Sequence, residues 1–297
     1  MRTLRTTALA LVALAALPVS AANWSDTFVG WRYGTQFREP GLTGTLEKNI
    51  LQLNHVSGWE YGTNFFNVDM LFSSTGDPAQ NASAPNFGGG QPGYGVPGTN
   101  EVYVVYHSTF NLSKVFKTNL SAGIVKDISI TAGVEANAKA NAFGSKKRFI
   151  SLGPTINFAV PKGFFDVGIW FCHEQNYNGV VMKAVDFKTD YEISAAWGIP
   201  FNMGPVAAEF KGFANYLGSK GKDGFGVETK PETLSDISVM VDISGLFGRK
   251  HGAAFIGVGF EYWNNKFGGA NFTAPAGKPY ENNQKVTAPM AQLEFHF

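Results

Sequence analysis

The chain has 297 residues, of which 44% are hydrophobic, 14% aromatic and only 16% charged, and it contains 35 glycines and 26 phenylalanines. Its formal net charge of +1 argues against a nucleic-acid-binding surface, because such surfaces usually have a basic excess. Cys172 is the only cysteine, which excludes an internal disulfide, and we interpret it as a small buried apolar residue. Low charge with many phenylalanines and glycines is typical of strands that have an aromatic, lipid-facing side.

The start of the chain has the pattern of a secretory signal peptide. Arg2 and Arg5 form a basic beginning, and residues 8–17 follow as an apolar stretch that is too short to span a membrane. Small residues permit cleavage after Ala21 or Ala22. No later stretch approaches the roughly 20 consecutive apolar residues of a transmembrane helix. We therefore expect a signal peptide at residues 1–22 and a single exported domain at residues 23–297.

Segments that alternate between apolar and polar residues occupy most of the remaining chain. A period of two is typical of a strand with two different faces, whereas a helix has a period of 3.6. In residues 128–141, for example, Ile128 and Ile130 share one face, and Ser129 and Thr131 share the other. About twelve segments are predicted as strands: Thr27–Arg38, Lys48–Asn54, Tyr61–Ser73, Asn100–Phe110, Ile128–Asn141, Phe149–Val160, Phe164–Glu174, Phe187–Phe201, Val206–Tyr216, Asp236–Ser244, Phe255–Trp263 and Ala288–Phe297.

The last of these segments indicates how the sheet is arranged. Leu293 and Phe295 fall on its apolar side, Gln292 and Glu294 fall on its polar side, and Phe297 ends the sequence. As the last strand of a soluble β-protein, which is the alternative, it would expose an aromatic edge and risk aggregation. A closed barrel has no edge, because its last strand pairs with its first. We therefore predict an all-β fold, a transmembrane antiparallel up-and-down β-barrel of about 12 strands, an even number as in bacterial single-chain barrels.

The lengths of the predicted connections alternate in the way that such a barrel requires. The second, sixth and eighth connections are short, whereas the third, ninth and eleventh are long. Short periplasmic turns and long outer loops would place both chain termini in the periplasm and the protein in the outer membrane. The fourth and tenth connections, residues 111–123 and 245–254, are longer than periplasmic turns should be.

The inward faces of the predicted strands carry charges of both signs together with several aromatic rings. Isolated charges in a dry interior would cost several kcal/mol each, so they must be paired or hydrated. A salt-bridged plug could fill a narrow barrel, but about twelve strands leave room for a narrow water-filled channel. Aromatic rings beside polar groups suit a flat, polar ring compound, although any one ring could be a gap filler or a register error. The alternation gives six candidate ligand contacts: Arg32, Phe65, Asp69, Glu209, Lys211 and Phe213.

Two stretches carry a family resemblance: W-R-Y-G-T-Q-F-R-E-P-G at Trp31–Gly41 and N-H-V-S-G-W-E-Y-G-T-N-F-F-N-V-D-M-L at Asn54–Leu71. They resemble the nucleoside-specific channel-forming porins of the Tsx type and related outer-membrane proteins used as phage receptors. Tyr191–Phe201 and Gly212–Gly218 are also similar, so the resemblance covers the mature chain.

This resemblance implies a monomeric, twelve-stranded barrel in contact with outer-membrane lipid, with a narrow lumen that passes nucleosides and deoxynucleosides. It assigns no individual ligand contact. The long loops Gly76–Thr99 and Asn265–Lys285 depart most from the family pattern, so phage or colicin recognition stays open.

Two other classes of function were weighed. A structural or adhesion barrel, including a phage receptor, predicts an occluded lumen and function in the loops. An enzyme requires a nucleophile and a base, but the five histidines are scattered and no Ser/His/carboxylate spacing is recognisable. We expect no catalytic residue, metal or cofactor, and no nucleic-acid partner.

The terminal strand generates the first testable prediction. A final strand that ends in phenylalanine resembles the signal read by the outer-membrane assembly machinery, so deletion of Phe297 should reduce the amount of folded, heat-modifiable protein in the outer membrane. Immunoblots of unheated and heated membrane fractions measure this amount. Wild-type levels of the folded form after deletion would contradict the proposed role of Phe297.

Overall fold

A computed structural model describes residues 22–40, 44–77, 98–140, 144–179, 181–269 and 284–297. The predicted signal peptide lies outside the described residues except for Ala22. Most of the two long loops, residues 78–97 and 270–283, also lies outside them.

Antiparallel strands make up about two thirds of the described structure. They are β1 (Trp24–Phe37), β2 (Leu46–Trp59), β3 (Gly62–Ser73), β4 (Asn100–Asn111), β5 (Val125–Lys139), β6 (Arg148–Phe158), β7 (Phe164–Asn178), β8 (Lys183–Asp186), β9 (Asp190–Met203), β10 (Val206–Leu217), β11 (Glu232–Asp242), β12 (Ala254–Asn264) and β13 (Val286–His296). A five-residue helix, α1 (Leu112–Phe116), follows β4, and 3₁₀ turns occupy Ser244–Phe247 and Lys266–Gly268. None of the described helices is long and apolar enough to cross a membrane.

Twelve of these strands form a closed ring. Each pairs with its neighbours along the chain, β6 pairs with β7, and β7 pairs with β9. Among the described strands, the four-residue strand β8 pairs only with β7 and lies outside the ring. The predicted all-β barrel of about twelve strands is therefore confirmed.

The ring closes where the first strand meets the last. β1 and β13 pair from Phe28 opposite His296 to Gly34 opposite Met290. Beyond the last pair, the backbone N–H of Phe297 donates to the carbonyl of Thr27 at 2.9 Å. The terminal strand thus has both of its edges paired, which removes the exposed aromatic edge that the sequence would otherwise present.

Apolar side chains cover the outside of the ring. Phe171 and Val258, for example, are 72% and 67% exposed on the outer face. Glu192 and Glu294, which occupy inward positions of their strands, are 4% and 2% exposed. In lipid, apolar side chains can face outward without cost, and the antiparallel pairing around the ring supplies partners for the backbone polar groups of the strands. The predicted inward and outward faces are confirmed along most of the strands.

Two aromatic residues were assigned to the wrong face. Phe37 was expected to face outward with Trp31, but it is 1% exposed and packs inside with Leu46 and Ile50. The pairing of β1 with β2 shifts register between Gly34 and Phe37, and such an irregularity reverses the faces beyond it. Phe187, expected to share a face with Tyr191, lines the interior because β9 begins only at Asp190.

The two ends of the barrel differ in their connections. At one end, here called the turn end, the start of β1 and the end of β13 lie beside short connections such as residues 60–61 and 204–205. The fourth and tenth connections, which looked too long for turns, lie at this end and contain α1 and the 3₁₀ turn Ser244–Phe247. The opposite end, called the loop end, carries the long connections. The alternation of connection lengths is thus observed, with helical turns taking up the excess length.

The inward and outward faces of β9 generate the second prediction. Ala195 and Ala196 are neighbours near the middle of the strand, and only Ala196 lines the lumen. Ala195→Arg should place a guanidinium in lipid and cost about 2–4 kcal/mol of unfolding free energy if the site is at the bilayer midplane. Ala196→Arg is the matched control and should cost much less, because its side chain enters the hydrated interior beside Asp166, its register partner. Urea unfolding in lipid vesicles measures both, and equal losses would contradict this register.

Candidate functional site in the barrel lumen

The interior of the barrel is an open space. Inward side chains from all twelve strands line a cavity of about 1460 Å³ that runs between the two ends. The predicted lumen is therefore present, and the described side chains do not fill it. All six candidate ligand contacts, Arg32, Phe65, Asp69, Glu209, Lys211 and Phe213, line it.

Arg32 lies at the centre of one wall and joins strands that are far apart in sequence. Its guanidinium donates to Asp69 Oδ2 of β3 at 2.8 Å and to Asp236 Oδ2 of β11 at 2.5 Å. Gln52 and Asn67 donate to the other oxygen of Asp69 at 3.1 and 3.0 Å. We call Arg32, Asp69 and Asp236 the central cluster. It fixes the Arg32 side chain by a fork of two charge-assisted hydrogen bonds.

The sequence makes room for this cluster with glycine. Gly30 precedes Arg32 on the same inward face of β1, and Gln52 lies over it. A Cβ atom added to Gly30 would lie 3.1 Å from Gln52 Oε1, which is tighter than ordinary contact. The missing side chain therefore leaves room for the Gln52 side chain, whose amide nitrogen donates to Asp69 on the other neighbouring strand, β3.

A second group of charges lies nearer the turn end. Lys211 donates to Glu294 at 2.5 Å, lies 3.9 Å from Glu209 and sits 4.9 Å from the ring centre of Phe28. His296 continues the chain of contacts, with ring nitrogens 2.9 Å from Asp26 and 3.4 Å from Glu294. The structure thus brings the predicted pair Glu209 and Lys211 together and adds Glu294, which binds Lys211 more closely.

Two lysines outside the strands enter the lumen near the loop end. Lys147 lies 2.8 Å from Glu135 and 4.5 Å from the ring centre of Phe149. Lys220 lies 2.5 Å from Glu174 and 4.7 Å from the ring centre of Phe187. Each ammonium therefore has both a carboxylate and an aromatic face as partners.

A buried ion cluster at the loop end ties several connections together. Glu39, between β1 and β2, contacts Lys48 at 2.5 Å, Lys266 at 3.0 Å and Lys139 at 3.1 Å. Lys139 also lies 3.0 Å from Asp77, and all of these side chains are at most 6% exposed. Burial alone would raise the pKa of Glu39, but the three ammonium groups hold that pKa well below its usual value. We call these five residues the loop-end cluster.

One patch of the wall formed by β4, β5 and β6 is uncharged. Thr109, Thr131 and Thr155 form a ladder of hydroxyl contacts at 3.1 and 2.7 Å, and Trp170 Nε1 donates to Thr155 at 3.1 Å. Ser129 donates to Asn157 one row nearer the turn end. We call this patch of hydroxyl and amide groups, Thr109, Ser129, Thr131, Thr155 and Asn157, the neutral wall. The carboxylates of the same strands, Glu101, Asp127 and Glu135, lie nearer the two ends of the barrel.

Two of the predicted aromatic contacts project from opposite sides of the ring. Phe65 lies on β3 and Phe213 on β10, which are six strands apart in either direction around the closed ring of twelve. Phe65 lies 6.3 Å from the His107 ring, which in turn lies 5.2 Å from the Trp170 ring. Phe213 is the register partner of Asp236 in the central cluster. The lumen thus offers an aromatic ring on each of two facing walls.

The six predicted residues do not form one compact site. Arg32 and Asp69 belong to the central cluster, and Glu209 and Lys211 belong to the group near the turn end. Sequence reasoning did not single out Asp236 or Glu294, although their strand periodicity placed both inward. It missed Glu39, Lys147, Lys220 and Lys266 altogether, because they lie outside the strands and no periodicity reports their direction.

The remaining residue of interest is the single cysteine. Cys172 is 4% exposed and packs with Phe149 and Leu217. Its predicted role as a small buried apolar residue agrees with this packing. Within the described residues, no group of three or more His, Cys, Asp or Glu side chains could hold a metal ion.

Closure of the ring, an apolar exterior and a polar interior together define the type of protein. The chain is an outer-membrane β-barrel. No protein-family model matches it, and a search of curated proteins finds no match.

Solved structures with a similar barrel include the translocator domain of the autotransporter NalP from Neisseria meningitidis, with a TM-score of 0.45 and 10% identity over 99% of this chain and 95% of that one. The NanC porin gives 0.45 and 9% identity over 90% and 98% of the two chains. The KdgM porin gives 0.40 and 7% over 91% and 99%. Structural similarity with TM-scores below 0.5 gives no information about the activity of the chain. The resemblance to nucleoside channels stays a prediction.

The central cluster generates the third prediction. Arg32→Met should leave Asp69 and Asp236 facing each other without a cation and cost about 3–5 kcal/mol of unfolding free energy, as for other buried pairs that lose one partner. The triple variant Arg32→Met/Asp69→Asn/Asp236→Asn should recover most of that loss, because it removes the stranded charges. Urea unfolding in vesicles measures all three proteins, with the exposed Arg148→Met as control. A stable single variant would show that the cluster is solvated rather than buried.

Proposed function

We propose that this barrel is an outer-membrane channel through which nucleosides and deoxynucleosides diffuse. The observation that carries the proposal is the open lumen of about 1460 Å³, whose facing walls combine aromatic rings with hydrogen-bonding groups. Such a lumen suits a solute with one flat apolar ring system and one polar sugar.

The arrangement of the walls suggests how a nucleoside would travel. The base would stack on Phe213 or Phe65, which project from opposite walls. Sugar hydroxyls would exchange hydrogen bonds with the neutral wall, where Thr109, Thr131 and Thr155 can each donate or accept. Arg32 and Asp69, together with Glu209 and Lys211 nearer the turn end, would bond the polar edges of base and ribose. Each contact is weak enough to be released, which a channel requires.

The orientation of the barrel and its partners are also proposed. The turn end, with both termini, faces the periplasm, because outer-membrane barrels have short periplasmic turns and long outer loops. The assembly machinery recognises the terminal strand and Phe297. The protein acts as a monomer, and its long loops are available as a receptor for phage or colicin.

A structural or adhesion barrel with an occluded lumen is the second candidate. One observation favours it: the loop-end cluster holds three connections together at the outer mouth through Glu39, Asp77 and Lys266. If these connections closed the mouth, the purified barrel would pass no current.

Single-channel recording tests the proposal and gives the fourth prediction. Stacking is worth about 1–3 kcal/mol per base, so Phe213→Ala should weaken the block of current by nucleosides by roughly tenfold or more. Phe65→Ala should have an effect of the same sign, and the double variant a larger one. Phe210→Ala is the matched control, because Phe210 lies on the same strand but faces outward, where it is 39% exposed. Absence of current would favour the occluded barrel. If nucleosides block the current of every variant as strongly as that of the wild type, the stacking role of these rings is wrong, but the channel function is not contradicted.

A further inference from the structure

Acidic and basic residues are distributed unequally between the lumen and the rest of the chain. The whole sequence has 23 acidic and 24 basic residues. Among the described residues that line the lumen, 16 are Asp or Glu and only nine are Lys or Arg, a formal excess of seven acidic residues. The chain as a whole is therefore nearly neutral, whereas the lining of its lumen is acidic.

The excess is carried by carboxylates that have no cationic partner. Within the described residues, no Lys, Arg or His nitrogen lies within 4.0 Å of six of the strand carboxylates in the lumen. They are Glu101, Asp127, Asp166, Glu192, Glu232 and Glu261. Seven of the nine lumen cations are already engaged by other carboxylates, and the two that are not, Lys114 and Lys126, both lie near the turn end.

Glu192 is the most deeply buried of the six carboxylates. It is 4% exposed, and its Oε2 atom has no hydrogen-bond partner. Leu217 is the register partner of both Glu192 and Glu232, so the two carboxylates stand two strands apart, roughly 10 Å, in one row of the wall. Burial of an unpaired carboxylate is costly, and a cation passing through the lumen would relieve that cost. An anion would meet the same field as a barrier.

We propose that the channel is cation-selective, and that it passes cationic solutes, inorganic or amine-bearing, in preference to anionic ones of the same size. Rings of Asp and Glu side chains produce this preference in other pores. The electrostatic field of the carboxylates does not discriminate among neutral solutes. Charge selectivity is therefore an additional property of the proposed channel, and it rests on that proposed function.

The test measures the permeability ratio of K⁺ to Cl⁻ from the reversal potential of single channels in a KCl gradient. The wild type should give a ratio several-fold above one. The variant Glu192→Gln/Glu232→Gln/Glu261→Gln should move the ratio toward one. The matched control Glu47→Gln/Glu60→Gln/Glu228→Gln removes three exposed carboxylates outside the lumen lining and should keep the wild-type ratio. Heat-modifiable mobility on gels establishes that each variant is folded.

A second measurement uses organic solutes. Liposomes containing the wild-type protein should swell faster in lysine than in glutamate, since these amino acids are similar in size and opposite in net charge. The triple lumen variant should lose most of that difference.

The outcomes separate the two proposals. A folded protein that passes no current and no solute would overturn the channel function and this inference with it. A conducting wild type with a ratio at or below one would overturn the inference alone. A lumen variant with the same ratio as the wild type would also overturn it, since these carboxylates would then not create the preference.

Discussion

The constraint on which the structure depends is that every backbone N–H and C=O within the membrane must find a partner in the protein. A ring of antiparallel strands meets this condition only when it closes, and here closure depends on β1 pairing with β13. Closure also fixes the direction of every side chain, because neighbouring residues on a strand point to opposite sides. Lipid accepts only apolar groups on the outside, so the polar members of the alternating sequence must project inward. The charged lumen is therefore a consequence of the same rule that builds the wall.

Charged side chains inside the barrel lose hydration, and this costs free energy unless they gain other partners. Some carboxylates are paired, as in the central cluster, where Arg32 bridges Asp69 and Asp236. In others the pairing is incomplete: Glu192 is 4% exposed, and its Oε2 atom has no hydrogen-bond partner within the described residues. An unpaired carboxylate is costly in a dry interior, so such groups favour a lumen that admits water or cations.

Much of the fold follows from the sequence, because the period of two is a local property. Alternation alone places Glu135 and Asn137 inside and Val134 outside, and the structure agrees. It fails at Phe37, where a register shift that leaves no clear mark in the sequence reverses the faces. The groupings inside the lumen are a different matter. Arg32 and Asp236 are 204 residues apart, and their contact depends on which strands become neighbours when the ring closes. Lys147, Lys220 and Lys266 lie outside the strands, where no period applies.

The charged groups and the neutral wall divide the lumen into regions with different chemistry. In the neutral wall, hydroxyl and amide groups form hydrogen bonds among themselves, so a solute can exchange with them at little cost. Elsewhere, carboxylates set a negative potential that acts on any solute in proportion to its charge. A neutral ring compound would respond to the first region and to the aromatic rings, and an ion would respond to the second. Binding of uncharged solutes and selection among ions can therefore coexist in one lumen, because they depend on different groups of side chains.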